Sequence, residues 1–281
     1  MNVLAFVRLL RPGQWVKNLL IFFPPFLAGA LFHAGVLASG FVPFVTLCLA
    51  SSCVYVCNDY LDRGQDRLHP RKCQRPVATG EIGLRGVMVI VSFLVLLLIP
   101  LALTQSSAEQ AFLLGYLLLS LLYAFKLRNV PLVDIFCIAA LFLLRLEYGG
   151  VVFAVTVSAW LFLSVLFLAL FLSAGKRLHE RIELATGAPA HRGSLAGYPD
   201  GFLDGIMFLT GAAVLVTYSI YCVPRPALVY TVPLCCFGLF RLLLRTLSGK
   251  GGDPTESLFK DGWLFAVGLF WVLLVGVSIY R

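Results

Sequence analysis

From Val36 to Cys57 the chain reads VLASGFVPFVTLCLASSCVYVC, with no charged side chain anywhere in the run. A helix this apolar on every face has no side to turn toward water, and a membrane span needs about 20 residues. Eight further apolar stretches repeat the pattern, at 19–32, 84–103, 110–125, 130–148, 151–173, 202–222, 227–244 and 258–280. Charged residues make up only 13% of the chain, against about 25% in soluble domains. That is too few to cover a water-facing surface. The predicted fold class is therefore all-α integral membrane, with about nine transmembrane helices. The stretch at 19–32 is short and holds Pro24-Pro25, which predicts a kink or a tilted entry. No repeat and no Ser/Gly linker divides the chain, so 1–281 reads as a single domain.

Lysine and arginine placement predicts the orientation. With the N-terminus in the cytoplasm, nineteen of the 22 basic residues fall on the cytoplasmic side. Arg225 and Arg281 fall outside, and Arg145 lies within a span. The C-terminus is then outside. The outer connections are short, around His33, at 104–109, at Gly149-Gly150 and at 223–226. The long connections, 58–83 and 174–201, are cytoplasmic, so the water-facing chemistry belongs there. The N-terminal MNVLAFVRLLRPGQWVKN mixes Arg8, Arg11 and Lys17 with apolar residues and reads as an amphipathic lead-in rather than a cleavable signal peptide. Seven of the eight cysteines lie in apolar stretches and none forms a CxxC pair. They read as small apolar side chains.

The block NDYLDRGQDRLHPRKCQRPVATG at 58–80 is the exception to all this hydrocarbon. If the second span continues as a helix, Asn58, Asp62 and Asp66 follow at spacings of four, and Asp59 sits three before Asp62. At about 100° per residue they share one face over roughly two turns. Like charges so placed repel, and a divalent cation removes the conflict. Carboxylate and amide oxygens suit Mg²⁺, which takes one or two protein carboxylates and binds substrate phosphates. Arg67, Arg71, Lys72 and Arg75 follow and fit the rest of a polyphosphate. The plainer alternative is a solvated helix end that marks the membrane boundary.

Other polar residues cluster at the same side. YAFKLR places Tyr123 and Lys126 on adjacent turns of a helix end, with Arg128 just beyond. LSAGKRLHE places Lys176, Arg177 and Glu180 at another. Membrane anchoring by basic residues also accounts for each singly. Asp134 and Arg145 both lie inside the fifth span, three turns apart, and an ionisable group there reads as functional. Arg145 either holds a lipid phosphate, pairs with Glu147 or snorkels outward. Asp200 and Asp204 form a second DxxxD that could face the first across a metal-bound diphosphate. Tyr55, one turn before Asp59, is within reach of the same site.

NDYLDRGQD at the inner end of the second span, with DxxxD after the sixth, resembles the UbiA-type intramembrane prenyltransferase superfamily. The resemblance implies nine helices around a central cavity, with Mg²⁺-bound diphosphate at its cytoplasmic mouth. LRPGQWVKN at 10–18, VYVCNDYLDRGQDRLHPRKCQRPVATG at 54–80, Arg145 before Gly149-Gly150, GKRLHE at 175–180 and GGDPTESLFKD at 251–261 are similar to its decaprenyl-phosphate phosphoribosyltransferase branch. That likeness runs over nearly the whole chain. It implies Asn58 and Asp62 as Mg²⁺ ligands with Asp59 and Asp66 close by, and Lys17, Tyr55, Lys72 and Arg128 around phosphoribosyl diphosphate. It also implies Arg145 on a substrate phosphate deeper in, and Lys176, Arg177 and Glu180 at the mouth. Arg128 stands where that branch usually has lysine. Leu146-Glu147-Tyr148 replaces a small apolar stretch, and Asp200 is not expected in that branch.

The expected activity is transfer of 5-phosphoribose from phosphoribosyl diphosphate to a polyprenyl phosphate at the cytoplasmic membrane. The expected catalytic acids are Asp59, Asp62 and Asp66, with Asn58, Asp62, Asp66 and Asp204 as metal ligands. Lys17, Tyr55, Lys72, Arg75, Tyr123, Lys126, Arg128, Arg145, Lys176, Arg177 and Glu180 are the expected substrate contacts. No nucleic-acid partner is expected, and self-association is compatible with the sequence. Two other readings stay open. One is ionisation of a prenyl diphosphate at the same site with an aromatic acceptor. The other is a transporter or lipid-binding protein, which would want polarity through both leaflets.

Overall fold

The computed structural model describes residues 3–68, 72–185, 193–250 and 252–281. Among them every regular element is helical, because hydrocarbon leaves backbone N–H and C=O groups no partner outside their own segment. In chain order the helices are α1 (Val3–Leu10), a 3-10 segment (Pro12–Phe22), α2 (Phe23–Leu27), α3 (Val36–Leu61), α4 (Arg63–Leu68) and α5 (Leu84–Leu103). Then come α6 (Ser107–Phe125), α7 (Val133–Val152), α8 (Ala159–Ala185), α9 (Gly193–Ala196) and α10 (Phe202–Cys222). The chain ends with α11 (Pro226–Val229), α12 (Val232–Leu247), α13 (Pro254–Lys260) and α14 (Gly262–Tyr280). Eight segments are long and apolar enough to cross a membrane: α3, α5, α6, α7, α8, α10, α11 with α12, and α14.

The expected first span takes another form. It is a 3-10 segment of 11 residues followed by an α-helix of five. The Phe23 N–H bonds back to the Leu20 carbonyl, three residues earlier. Pro24 and Pro25 have no N–H with which to continue an α pattern. The 3-10 rise of about 2.0 Å per residue and the α rise of about 1.5 Å together give about 30 Å, the thickness of the hydrocarbon layer. A stretch too short for an α-helical span is thus long enough in this form.

Two predicted connections are also helix. Gly149 and Gly150 lie inside α7, and the turn falls at 153–158. A Cβ added at Gly149 would collide with the Ile21 backbone, so the glycine lets the 3-10 segment lie directly on α7. Likewise α8 runs on to Ala185, which makes GKRLHE part of a helix rather than a loop.

Packing follows the apolar stripes. α8 lies along α10 and α7, α6 packs on α7, and α3 packs on α5. Ile135, Phe171, Met207 and Leu239 fill the space between α7, α8, α10 and α12. Leu9, Val56 and Ile90 join α1, α3 and α5. Ile21, Leu47, Tyr116 and Leu141 join the 3-10 segment to α3, α6 and α7. Phe41, Leu96 and Leu209 stay exposed, as lipid-facing residues of a membrane bundle do. This packing brings the C-terminal ends of α3, α6 and α8 to one end of the bundle, beside the 3-10 segment and the start of α13.

Candidate active site at one end of the bundle

A cavity of about 670 Å³ opens where those ends meet. α3 contributes Tyr55, Asn58, Asp59 and Asp62, the 3-10 segment Lys17, and the stretch after α4 Lys72 and Arg75. α6 contributes Tyr123, α8 contributes Lys176, Arg177 and Glu180, and Asp253 enters just ahead of α13. Ile138, Phe142 and Leu172 give part of the lining an apolar surface.

The acidic block does not act as one face. α3 ends at Leu61 and Asp62 caps it, so Asp66 sits on the separate helix α4. At about 100° per residue, Asp59 and Asp66 lie about 20° apart around the axis, and Asn58 and Asp62 about 40° apart. The two stripes meet different partners. Asp59 pairs with Arg11 and, at 3.0 Å, with Arg75. Asp66 pairs with Arg75 at 2.7 Å and does not line the cavity. Asn58 and Asp62 each bury a side-chain oxygen, Oδ1, that has no hydrogen-bond partner among the described residues. Arg128 Nη1 stands 2.5 Å from Asp62 Oδ1, a charge contact outside hydrogen-bonding alignment.

An unsatisfied buried oxygen costs about 1–3 kcal/mol, so two on successive turns call for a ligand. Among the described residues no group of three or more His, Cys, Asp or Glu side chains is placed to hold a metal. One carboxylate with one amide oxygen nevertheless suits Mg²⁺, which keeps waters and takes its remaining ligands from phosphate. The Asn58–Asp62 pair fits that ion.

The cations are set by a carboxylate that sequence reasoning did not assign. Asp253 caps α13 by accepting from the Thr255 N–H at 3.0 Å. It also holds Lys17 at 3.0 Å and faces Lys176 at 3.9 Å. Burial alone would raise its carboxyl, but Lys176 and Lys17 more than offset this and hold it well below the usual carboxylate range. The signal for it was the Asp-Pro pair at a helix start inside GGDPTESLFKD. Arg11 was another omission: it also stacks over the Tyr55 ring, its Cζ 5.2 Å from the centroid.

Arg177 is buried and donates to Asp134 at 2.6 Å, to Glu180 at 2.8 Å and to the Tyr123 hydroxyl at 2.8 Å. Asp134 also accepts from Tyr198 and Ser194. The intramembrane acid is thus the anchor of a network that orients Tyr123 and Glu180. Arg145 neither pairs with Glu147 nor snorkels. It donates to Asn18 Oδ1 and the Tyr116 hydroxyl, both at 2.9 Å, and to the Leu141 carbonyl at 2.8 Å. It lies behind the lining, with Phe142 against its guanidinium at 5.8 Å.

Three expected contacts are placed elsewhere. Lys126 is exposed and outside the lining. Asp204 stays in the first turn of α10, where the N-terminal dipole favours an acid, and does not reach the cavity. Asp200 is exposed and pairs with Arg181. The second acidic group at the cavity is Asp253 with Glu256 rather than the DxxxD pair. Arg67 donates to the Ala78 carbonyl at 2.9 Å. Arg71 lies outside the described residues.

Curated relatives carry the same architecture. The chain is 33% identical to a decaprenyl-phosphate phosphoribosyltransferase of Mycolicibacterium smegmatis, over 99% of this chain and 93% of that one. It is 31% identical to the Corynebacterium glutamicum protein of that name, over 98% of this chain and 86% of that one. A solved UbiA homologue of Archaeoglobus fulgidus bound to GPP and Mg²⁺ aligns with a TM-score of 0.70. It covers 98% of this chain and 99% of that one at 18% identity, a likeness of fold. Residues 22–274 match the UbiA prenyltransferase family, and the chain belongs to that family.

Proposed function

We propose that the chain transfers a 5-phosphoribosyl group from phosphoribosyl diphosphate to a polyprenyl phosphate of decaprenyl type. The carrying observation is the meeting, in one cavity, of two unpartnered oxygens at the end of α3 with Lys17, Lys72 and Lys176. Near full-length identity to curated decaprenyl-phosphate phosphoribosyltransferases supports the substrate pair.

Asn58 and Asp62 would hold Mg²⁺, which when bound neutralises charge on a leaving diphosphate. The lysines supply further positive charge where that group departs, in a poorly solvated cavity that strengthens each contact. They also exceed what one diphosphate requires, as a donor with an additional 5-phosphate demands. The bond from ribose C1 to the diphosphate oxygen breaks, and a bond from C1 to an acceptor phosphate oxygen forms. That acceptor oxygen is already anionic, so no strong general base is needed. Arg75 and Arg11 hold Asp59 and Asp66 and thereby fix the helix end that presents Asn58 and Asp62. Arg128 is close enough to Asp62 to transfer its charge to an incoming phosphate. The excess of basic residues in the loops at this end supports a cytoplasmic-facing cavity in the inner membrane.

The test is product identity. Purified protein in lipid nanodiscs receives Mg²⁺, phosphoribosyl diphosphate and decaprenyl phosphate, and in parallel a prenyl diphosphate with an aromatic acid. A phosphoribosylated lipid by mass spectrometry is the expected product. A prenylated aromatic product without it would establish the other chemistry of this fold.

A further inference from the structure

The α8 side of the cavity carries a group that no step above uses. His179 lies in the cavity wall and is only 3% exposed. Neither of its ring nitrogens has a hydrogen-bond partner among the described residues. Its Nε2 lies 3.4 Å from Glu183 Oε1, one turn along α8, close but outside hydrogen-bonding alignment. Glu180 and Glu183 line the same wall. The backbone at Gly252 approaches the ring so closely that an added Cβ would stand 3.6 Å from Nε2.

The chemistry of this wall limits its ligand. A phosphate is disfavoured beside two glutamates. A metal is disfavoured because no three ligating side chains converge there among the described residues. An alkyl chain would leave the imidazole buried and unpaired, which is the kind of contact that rejects a substrate lacking hydrogen-bonding groups. What satisfies an imidazole beside carboxylates is a neutral group rich in hydroxyls, as acidic side chains serve ribose hydroxyls in dinucleotide sites. With Nε2–H directed at Glu183, Nδ1 is left to accept from such a hydroxyl.

The geometry points to His179, backed by Glu183, as the residue that reads the ribosyl hydroxyls of the donor. The assignment rests on the phosphoribosyl transfer proposed above. It divides the cavity by chemistry: lysines for the charged ends of the donor, and an imidazole–carboxylate wall for its uncharged ring. It also gives the chain a physical reason to prefer a sugar diphosphate over a prenyl diphosphate.

The experiment compares phosphoribosyl diphosphate with analogues lacking its 2- or 3-hydroxyl, using wild type, His179→Phe and His179→Asn. Wild type is expected to favour the full donor over one deoxy analogue by about 10-fold in kcat/KM, the worth of one good hydrogen bond. His179→Phe should erase that preference by losing activity on the full donor alone, and His179→Asn should restore part of it. Binding of inorganic pyrophosphate with Mg²⁺ should be unchanged in both variants, which shows that the site is intact. An equal loss on all donors, or an unchanged preference in His179→Phe, overturns the assignment. Wild type that transfers no phosphoribose overturns the underlying activity as well, and is recognised separately because it needs no variant.

Discussion

Two pairs of side chains on the same helix end show how neighbouring residues acquire opposite tasks. Asp59 and Asp66 are buried and neutralised, with Arg75 between them and Arg11 on Asp59. Asn58 and Asp62, one stripe around, keep buried oxygens without hydrogen-bond partners. Burial is similar, and sequence spacing alone makes the four look equivalent. The difference is completeness: the first pair is satisfied by the protein itself, and the second is satisfied only by something that enters. A satisfied buried acid holds structure together. An unsatisfied one is a binding site.

The comparison breaks most visibly at Asp62. Asp62→Ala should lower kcat/KM about a thousandfold while leaving the thermal midpoint in detergent within a few degrees, because no hydrogen bond is lost. Arg75→Met should do the reverse. It leaves Asp59 and Asp66 buried without their shared cation, and should cost about 1–3 kcal/mol once the partial exposure of Arg75 is allowed for. Activity per folded molecule should fall less than tenfold. If Arg75→Met proves stable and inactive, the two pairs are not separate in function.

Asn58→Ala sharpens the contrast within the unsatisfied pair. Chelation should abolish transfer and added Mg²⁺ restore it, with the variant needing about 10-fold more ion, as loss of a neutral contact to a metal site costs. A Mg²⁺ titration of initial rate reads this directly. The smallest effect is acid sensitivity. Asp253 is held low against its burial by Lys176 and Lys17. Asp261 is lowered to about 2, chiefly by hydrogen bonds from Arg241. A depressed carboxyl stabilises fully above its ordinary value of 3.8 and loses that contribution as pH falls through the folded value. The thermal midpoint should therefore drop as pH goes from about 4 toward about 2, and less so in Asp261→Asn.

Much of this was legible in the sequence because its signals are local. Long uncharged runs marked the spans, and clustered basic residues marked the end that carries the chemistry. NDYLDRGQD marked one wall of the cavity, and GKRLHE marked another. Other features were not legible from spacing. Asp204 looked like a partner for the first acidic motif, yet it caps the start of α10 while Asp253 takes the place at the cavity. Gly149-Gly150 looked like a turn, yet it is a flat patch of helix against which another backbone lies. The relevant contacts join residues far apart in the chain, and no local pattern encodes which of them meet.

The sequence by itself determined that this chain is a bundle of membrane helices with its polar chemistry gathered at one end. Hydropathy and charge act residue by residue against the same surroundings, bilayer or water. Only the tertiary structure decided which acids Arg11 and Arg75 would neutralise and which would keep open oxygens. It alone set Asp253 between Lys17 and Lys176, and left His179 in the wall without a partner. Satisfaction of a buried polar atom depends on what lies within about 3 Å of it, and that is fixed by packing between helices rather than by position along one.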